Sequence, residues 1–214
     1  MPTIASRPLR NSQVGRPAWE LVEQLPTQGN WRESDYLALD AVMENQRRVE
    51  LVNGYLEFLP MPTRLHERIV KYLFMALLEF NRSQGLGEVF FSGRKTRLWE
   101  REIRLPDIVF IFSEHESRDS EDCCEGADLV MEVVSKGTED RRRDLVEKRA
   151  DYAKARISEY WIIDSLLKQI RVLTLNGGKT YKVHGEFKKG QTATSKLLNG
   201  FEVNVAEALA GLKQ

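Results

Sequence analysis

A short apolar run near the middle of the chain constrains the fold more than any other stretch. Residues 128–134, "DLVMEVV", have the length and β-branched content of a strand. Apolar side chains at successive positions predict a strand that is buried on both faces of a sheet. One carboxylate, Glu132, lies inside this run. Burial of an ionised carboxylate is costly unless it is paired or binds a cation, so Glu132 requires a partner.

Predicted helices and strands alternate along the rest of the chain. "ESDYLALDAVME" and "LHERIVKYLFMALLEFNRSQG" have the apolar spacing of helices, and a further helix is predicted from Glu139 to Lys154. "RRVELVNGYLEFLP" predicts a β-hairpin that turns at Asn53-Gly54. The other predicted strands are "EVFFSGRKTRLW", "LPDIVFIF", "EYWIID", "QIRVLTL" and "GKTYKVHGEF", and a short strand and helix end the chain. This order predicts an α/β fold in which α-helices flank a central mixed β-sheet.

Length and proline content suggest the domain organisation. The chain has 214 residues, enough for one domain with a sizeable core. Four prolines lie within residues 1–30, which predicts an irregular N-terminal arm followed by a single domain over 31–214. The 32 basic and 32 acidic side chains cancel. This balance is not typical of proteins that bind nucleic acid over their whole surface, but it permits a local basic cleft.

The cysteines and the first residues bear on the compartment. Cys123 and Cys124 are adjacent and stand alone, which argues against a disulfide framework and against a zinc site. This cysteine content predicts that the protein resides in a reducing compartment. The first residues lack the apolar core of a signal peptide, and no stretch has the length of a membrane span. We therefore expect a cytoplasmic protein without a membrane partner.

A second carboxylate lies at the start of another apolar strand. Asp107, in "LPDIVFI", precedes Glu132 by 25 residues. If the two strands are neighbours, both carboxylates point to one edge of the sheet, where oxygen ligands suit Mg²⁺ or Mn²⁺. The alternatives are that Asp107 caps a strand end and that Glu132 pairs with an arginine.

The charged helix that follows offers a lysine. Asp144, Lys148 and Tyr152 are spaced four apart and share one helical face. In one interpretation this is a solvated helix, with an ordinary ion pair between Asp144 and Lys148. In the other, Lys148 extends over the end of the Glu132 strand, where a phosphate and an attacking water would meet.

Two basic clusters are candidates for DNA contact. They comprise Arg94, Lys95, Arg97, Arg141, Arg142 and Arg143. Contacts of such side chains to phosphates hold DNA without reading its sequence. The alternative is a solvated surface.

Three stretches together resemble a known family. They are "RRVELVNGYLEFLPMPTRLHERIVKYL", "RLPDIVFI" and "ADLVMEVVSKGTEDRRRDLVEKRADYAKARISEYWIID". They are similar to the Uma-two family, whose members are described as restriction endonucleases of the PD-(D/E)XK nuclease superfamily. The resemblance covers roughly residues 31–210. It implies a restriction-endonuclease-like fold and hydrolysis of DNA that depends on Mg²⁺ or Mn²⁺.

The resemblance also implies roles for individual residues. Asp107 follows Pro106 as in the family motif, and with Glu132 it is an implied metal ligand. The superfamily pattern has a lysine two residues after the glutamate, but this chain has Val134 there. The family's matching lysine is Lys148 on the following helix, with Lys136 as a weaker alternative.

Further positions match the family. Glu50 is implied as a third metal ligand, with an outward hairpin residue as the alternative. Support roles are implied for His66, Ser135, Asp144 and Tyr152; His66 is either structural or in contact with a phosphate.

The implied reaction is metal-assisted hydrolysis of a phosphodiester. The metal would polarise the phosphate and lower the pKa of a bound water. Lys148 would orient or deprotonate that water and stabilise charge on the phosphate oxygens. A homodimer is expected, since cutting two strands needs two sites.

Two other functions remain open. Val134 and the zero net charge motivate a non-catalytic nucleic-acid or protein binding module that keeps a nuclease fold. A metal-dependent hydrolase of another phosphate ester is the third hypothesis, because a fold does not fix the substrate.

Overall fold

The computed structural model of the protein describes residues 25–43, 47–91 and 93–211. These residues form two compact units. The first contains the described residues up to Met61 and the segment Trp99–Arg104, and the second contains Pro62–Leu98 and the chain from Leu105 onward. Residues 1–24 of the predicted arm lie outside the described residues. The single domain over 31–214 stays a prediction.

The regular elements follow the predicted order, with three additional short strands that were not predicted: Glu102–Arg104, Cys124–Glu125 and Thr192–Thr194. The helices are α1 (Glu33–Met43), α2 (Arg64–Gln84), α3 (Thr138–Arg142), α4 (Lys148–Lys154) and α5 (Val205–Ala210). The strands are β1 (Val49–Val52), β2 (Tyr55–Phe58), β3 (Gly87–Phe91), β4 (Thr96–Trp99), β5 (Glu102–Arg104), β6 (Ile108–Phe112), β7 (Cys124–Glu125), β8 (Leu129–Val133), β9 (Glu159–Asp164), β10 (Gln169–Leu175), β11 (Tyr181–Lys188), β12 (Thr192–Thr194) and β13 (Glu202–Asn204).

The first unit is built on the predicted hairpin. β1 and β2 pair in antiparallel fashion around Asn53 and Gly54, whose φ angles are 48° and 80°. Positive φ at both turn positions matches the twist of the two strands, and this favours the Asn-Gly pair. β5 adds to β1 on the other side, with Leu51 opposite Ile103. The core of this unit contains Trp31, Tyr36, Val49, Leu51, Leu56 and Ile103.

The second unit contains a six-stranded sheet in the order β11-β10-β9-β8-β6-β3. β8 and β9 are parallel, with Glu132 beside Ile162. The other neighbours are antiparallel. The predicted mixed sheet flanked by helices is therefore confirmed. The "EVFFSGRKTRLW" stretch, predicted as one strand, forms β3 and β4, and β4 pairs with β7 instead of extending β3.

Both faces of the six-stranded sheet are covered. Met131 and Val133 of β8 pack in one apolar cluster with Ile69 of α2. Val130, from the alternate face of β8, packs in a second cluster with Tyr152 of α4. Period-two alternation within β8 therefore supplies two cores, which explains its nearly continuous apolar sequence.

Capping residues set both ends of α2, the helix that packs on the Met131 and Val133 face of the sheet. The side chain of Thr63 accepts a hydrogen bond from the His66 amide, and Gly85 ends the helix at φ 65°. Within the three described ranges, no helix combines the length and apolar character needed to cross a membrane. The cytoplasmic location stays a prediction.

Candidate active site

The sheet of the second unit brings Asp107 and Glu132 together. β6 and β8 pair with Ile108 opposite Met131, so extending this register by one residue places Asp107 opposite Glu132. Opposite residues of an antiparallel pair point to the same face, with Cβ atoms about 5 Å apart. Asp107 is 4% exposed and Glu132 is 3% exposed. The predicted neighbouring strands thus place two buried carboxylates on one face of the sheet.

The Asp107 carboxylate is fixed by two contacts. Its Oδ2 atom accepts a hydrogen bond of 2.9 Å from the amide of Val133, on the neighbouring strand. The Nε2 atom of His66, at the start of α2, lies 3.1 Å from the same oxygen. His66 and Asp107 therefore meet, as a support role for the histidine requires. The bond from the Val133 amide to the Asp107 side chain also ties the residue before β6 to the end of β8.

The Glu132 carboxylate meets the following helix. Its Oε1 atom accepts hydrogen bonds from Lys148 Nζ at 2.8 Å and from the Tyr152 hydroxyl at 2.6 Å. Lys148 is 1% exposed, so a solvated helix face does not describe it. Lys148 is thus an ion-pair partner of Glu132, where the alternative interpretation expected an arginine. Lys136, by contrast, is exposed.

The helix that carries Lys148 is not regular. Between α3 and α4, residues Arg143–Glu147 form a π-helical turn. The Lys148 amide donates to the carbonyl of Arg143, five residues back, where an α-helix would use the carbonyl four residues back. Asp144 lies in this turn and is 3% exposed. Ser135 is half-buried directly after β8. The predicted uninterrupted helix from Glu139 to Lys154 is wrong at this turn.

Glu50 belongs to the first unit. It is fully buried, and its Oε2 atom accepts a hydrogen bond of 2.9 Å from Arg104 Nη1. The register of β1 and β2 puts Glu50 opposite Glu57, a like-charged pair that is unfavourable by itself. Arg104 Nη1 lies 3.7 Å from Glu57 Oε2, and Arg104 Nε lies 3.0 Å from Glu102 Oε1. The alternative of an outward hairpin residue is wrong, and the metal-ligand role of Glu50 stays a prediction.

The predicted DNA-contacting arginines all have carboxylate partners. The pairs are Arg94 with Asp119, Arg97 with Glu125, Arg141 with Asp164, Arg142 with Glu147 and Arg143 with Asp140. Lys95 is half-buried, and its main-chain carbonyl accepts from the Cys124 amide. A DNA phosphate at these arginines would share them with carboxylates. Their role in DNA contact stays a prediction.

Two buried residues near the site escaped the sequence-based predictions. Asp164, at the end of β9, accepts two hydrogen bonds from Arg141, of 3.2 and 2.6 Å. Burial alone would raise the pKa of Asp164, but the bonds from Arg141 and from the amides of the following turn lower it below its usual value. The hydroxyl of Tyr160, also on β9, donates to the main-chain carbonyl of Asp144 at 2.9 Å. Both contacts join residues that are far apart in the sequence, 23 and 16 positions, so no short motif predicts them.

The donor set suits a hard cation. Within residues 25–43, 47–91 and 93–211, no cluster of three or more His, Cys, Asp or Glu side chains has the arrangement of a metal site. Asp107 and Glu132 nevertheless supply two buried carboxylates from one face of the sheet. Mg²⁺ is commonly held by one or two carboxylates, with waters and substrate phosphates completing its shell. The pair therefore fits Mg²⁺ or Mn²⁺.

Comparisons with known proteins identify a family and a shared fold. A search of curated proteins found no match. A similar solved structure is described as a "putative nuclease belonging to DUF820" from Anabaena variabilis ATCC 29413. It is 13% identical, covers 76% of this chain and 89% of its own, and has a TM-score of 0.61, which shows a shared fold. The model of the Uma2 family, described as "Putative restriction endonuclease", matches residues 33–206. The resemblance found in the sequence is thereby confirmed: the chain belongs to the Uma2 family.

Proposed function

We propose that this protein is a metal-dependent endonuclease that hydrolyses DNA phosphodiester bonds. One observation carries the proposal. Two buried carboxylates, Asp107 directly before β6 and Glu132 within β8, come opposite each other when the β6–β8 register is extended by one residue, and buried Lys148 donates to Glu132 at 2.8 Å. Membership in the Uma2 family supports a nuclease, while DNA as the substrate and Mg²⁺ or Mn²⁺ as the cofactor belong to the proposal.

The chain's own contacts prepare both carboxylates for this role. The Val133 amide and His66 fix Asp107, while Lys148 and Tyr152 fix Glu132. Ligands held in place lose little freedom when a cation binds, so this arrangement favours binding. When bound, Mg²⁺ would offset charge on the phosphate and lower the pKa of a water.

Lys148 would act on the substrate side of the same site. A protonated lysine carries a positive charge and three N–H donors. Its place beside Glu132 suits it to orient the attacking water and to stabilise negative charge that develops on the phosphate oxygens. The position two residues after Glu132 holds a buried valine, Val134. Lys148 thus supplies from the helix the charge that the simple superfamily pattern supplies from the strand.

Cleavage assays test the proposal. Supercoiled plasmid, single-stranded DNA, RNA and a small phosphodiester would each be incubated with the protein and Mg²⁺ or Mn²⁺, with EDTA as the metal-free control. We expect DNA cleavage that Asp107→Asn, Glu132→Gln and Lys148→Ala each abolish. Lys136→Ala is the matched control, because it removes an exposed lysine near the same strand end and should keep activity. Undiminished metal-dependent cleavage by the three site variants would show that the site is assigned wrongly.

A second candidate function is a non-catalytic module that binds nucleic acid or protein on a nuclease fold. Val134, in place of the superfamily lysine, favours it. Calorimetric titration with Mg²⁺ and Mn²⁺ separates the two. Absence of metal binding in a chain that still binds DNA would support the module, whereas binding that Glu132→Gln removes would support the nuclease. Sedimentation of the same sample tests the predicted homodimer.

A further inference from the structure

The main-chain carbonyl of Asp144, in the π-helical turn before Lys148, accepts a hydrogen bond from a side chain of the sheet. In an α-helix the Lys148 amide would donate to the carbonyl of Asp144, four residues back. Here it donates to Arg143 instead. The Asp144 carbonyl accepts the hydroxyl of Tyr160 at 2.9 Å. A side chain of β9 thus donates to the carbonyl that the Lys148 amide would use in a regular α-helix.

Tyr160 is firmly held in this position. It is fully buried, and its ring packs edge-on against Tyr152, with 5.1 Å between centroids. The ring of Tyr181 also lies near it, with 6.1 Å between centroids. Burial, together with the charges of nearby carboxylates, raises the pKa of Tyr160 well above its usual value. The hydroxyl therefore stays protonated and remains a donor at neutral pH.

The turn decides where Lys148 points. One residue inserted into a helix rotates the side chains on its two sides by about 100° relative to each other, since an α-helix has about 3.6 residues per turn. Ion pairs to the sheet hold both sides of the turn. Arg141 bonds Asp164 before it, and Lys148 bonds Glu132 after it. If the turn relaxed to regular α-helix, one of these two pairs would lose its geometry.

We propose that Tyr160 is a positioning residue, whose hydroxyl holds the π-helical turn and thereby keeps the Lys148 ammonium on Glu132. The catalytic part of this inference rests on the proposed nuclease function, but the structural part does not. Tyr160 touches neither carboxylate of the candidate metal pair in the contacts described above. It acts through the main chain of Asp144 and the direction of the helix.

Tyr160→Phe tests this inference, because it removes only the hydroxyl. The matched control is Tyr181→Phe. Tyr181 is an adjacent buried tyrosine whose hydroxyl donates to the carbonyl of Ile157, outside the π-helical turn, at 2.8 Å. The first readout needs no activity: the NMR signal of the Lys148 ammonium, assigned by its loss in Lys148→Met, together with amide hydrogen exchange over residues 144–149.

We expect Tyr160→Phe to shift or broaden the Lys148 signal and to speed amide exchange in the turn by about ten-fold or more, since local opening governs exchange. Tyr181→Phe should leave both unchanged. An unaltered Lys148 signal in Tyr160→Phe, or equal changes in the two variants, would overturn the inference.

Kinetics provide the second readout. With active protein, Tyr160→Phe should lower kcat for DNA cleavage by about 10- to 100-fold, as expected for a displaced catalytic group, and change KM by less than about three-fold. Tyr181→Phe should stay within about three-fold of the wild type in both constants. A wild-type chain that cleaves nothing would refute the proposed function, while the NMR comparison would still decide the role of Tyr160. A Tyr160→Phe variant with wild-type kcat would refute the positioning role.

Discussion

Removing the ammonium of Lys148 should destabilise the folded protein, in addition to its expected effect on DNA cleavage. Lys148→Met keeps a long apolar side chain but deletes the charge that donates to Glu132 at 2.8 Å. The two residues are 1% and 3% exposed. Breaking a buried ion pair by removing one partner costs about 3–5 kcal/mol. The Tyr152 hydroxyl still donates to the same oxygen, which places the expected loss near the lower end, about 3 kcal/mol.

The double variant Lys148→Met with Glu132→Gln separates this effect from lost packing. Replacing both members of a buried pair by neutral groups is often close to neutral in free energy. We therefore expect the double variant to be more stable than Lys148→Met alone by about 2 kcal/mol, because it no longer leaves the Glu132 carboxylate buried without its cation.

Urea unfolding in EDTA, followed by circular dichroism, measures these differences as free energies of unfolding. Lys136→Met is the control for loss of an exposed lysine, and it should change the free energy of unfolding by less than about 0.5 kcal/mol. The reasoning is refuted if Lys148→Met unfolds at the wild-type urea midpoint. It is also refuted if the double variant is no more stable than Lys148→Met, because an uncompensated Glu132 carboxylate would then not be the source of the loss.

Three further predictions concern other parts of the molecule. Because the pKa of Asp164 is lowered in the folded state, its pairing stabilises the protein above the unfolded pKa of about 3.9. The stability gap between wild type and Arg141→Met should therefore be constant above about pH 5 and shrink as the pH falls below about 4; a gap that widens in acid would contradict this. Burial raises the pKa of the Cys124 thiol to about 11, so iodoacetamide at pH 8 should modify Cys124 only when the protein unfolds. Rapid labelling of Cys124 in the folded protein, detected by mass spectrometry, would contradict this. Gly54→Ala should cost more than about 1 kcal/mol, since φ is 80° there and a Cβ would lie 2.8 Å from the Gly29 carbonyl oxygen; a Gly177→Ala control, with φ 61° but open space around it, should lose less in the same urea assay.

Local chemistry made much of the fold predictable. The Asn53-Gly54 turn and the Gly85 helix end depend on residues whose backbone preferences act within a few positions. The same holds for the amphipathic helix α2 and for the apolar run of β8, because periodicity reports burial directly. These features need no information about distant parts of the chain.

The candidate site was predictable only in part. The approach of Asp107 and Glu132 depends on the pairing and register of β6 and β8. The sequence does not determine this pairing, so the prediction could be made only on the assumption that the two strands are neighbours. The four-residue spacing of Asp144, Lys148 and Tyr152 fits a regular helix, so it gives no sign of the π-helical turn. A single inserted residue changes the direction of a helix without disturbing its apolar pattern enough to be detected.

Long-range polar partners account for most of what the sequence left out. Arg104 meets Glu50 across 54 residues, and Arg141 meets Asp164 across 23. Such pairs are chosen by tertiary packing. An isolated charge in a sequence therefore predicts that a partner exists without saying which one.

The short sequence distances within the candidate site have a consequence for folding. Glu132 bonds Lys148 and Tyr152 only 16 and 20 residues further on, and Asp107 bonds Val133 across 26 residues. Loops of this size close at a modest entropic cost, and contacts between nearby residues tend to form early. These three contacts join residues that all lie within the segment 107–152. During synthesis, this ionic centre would be able to assemble before the last strands of the sheet have left the ribosome.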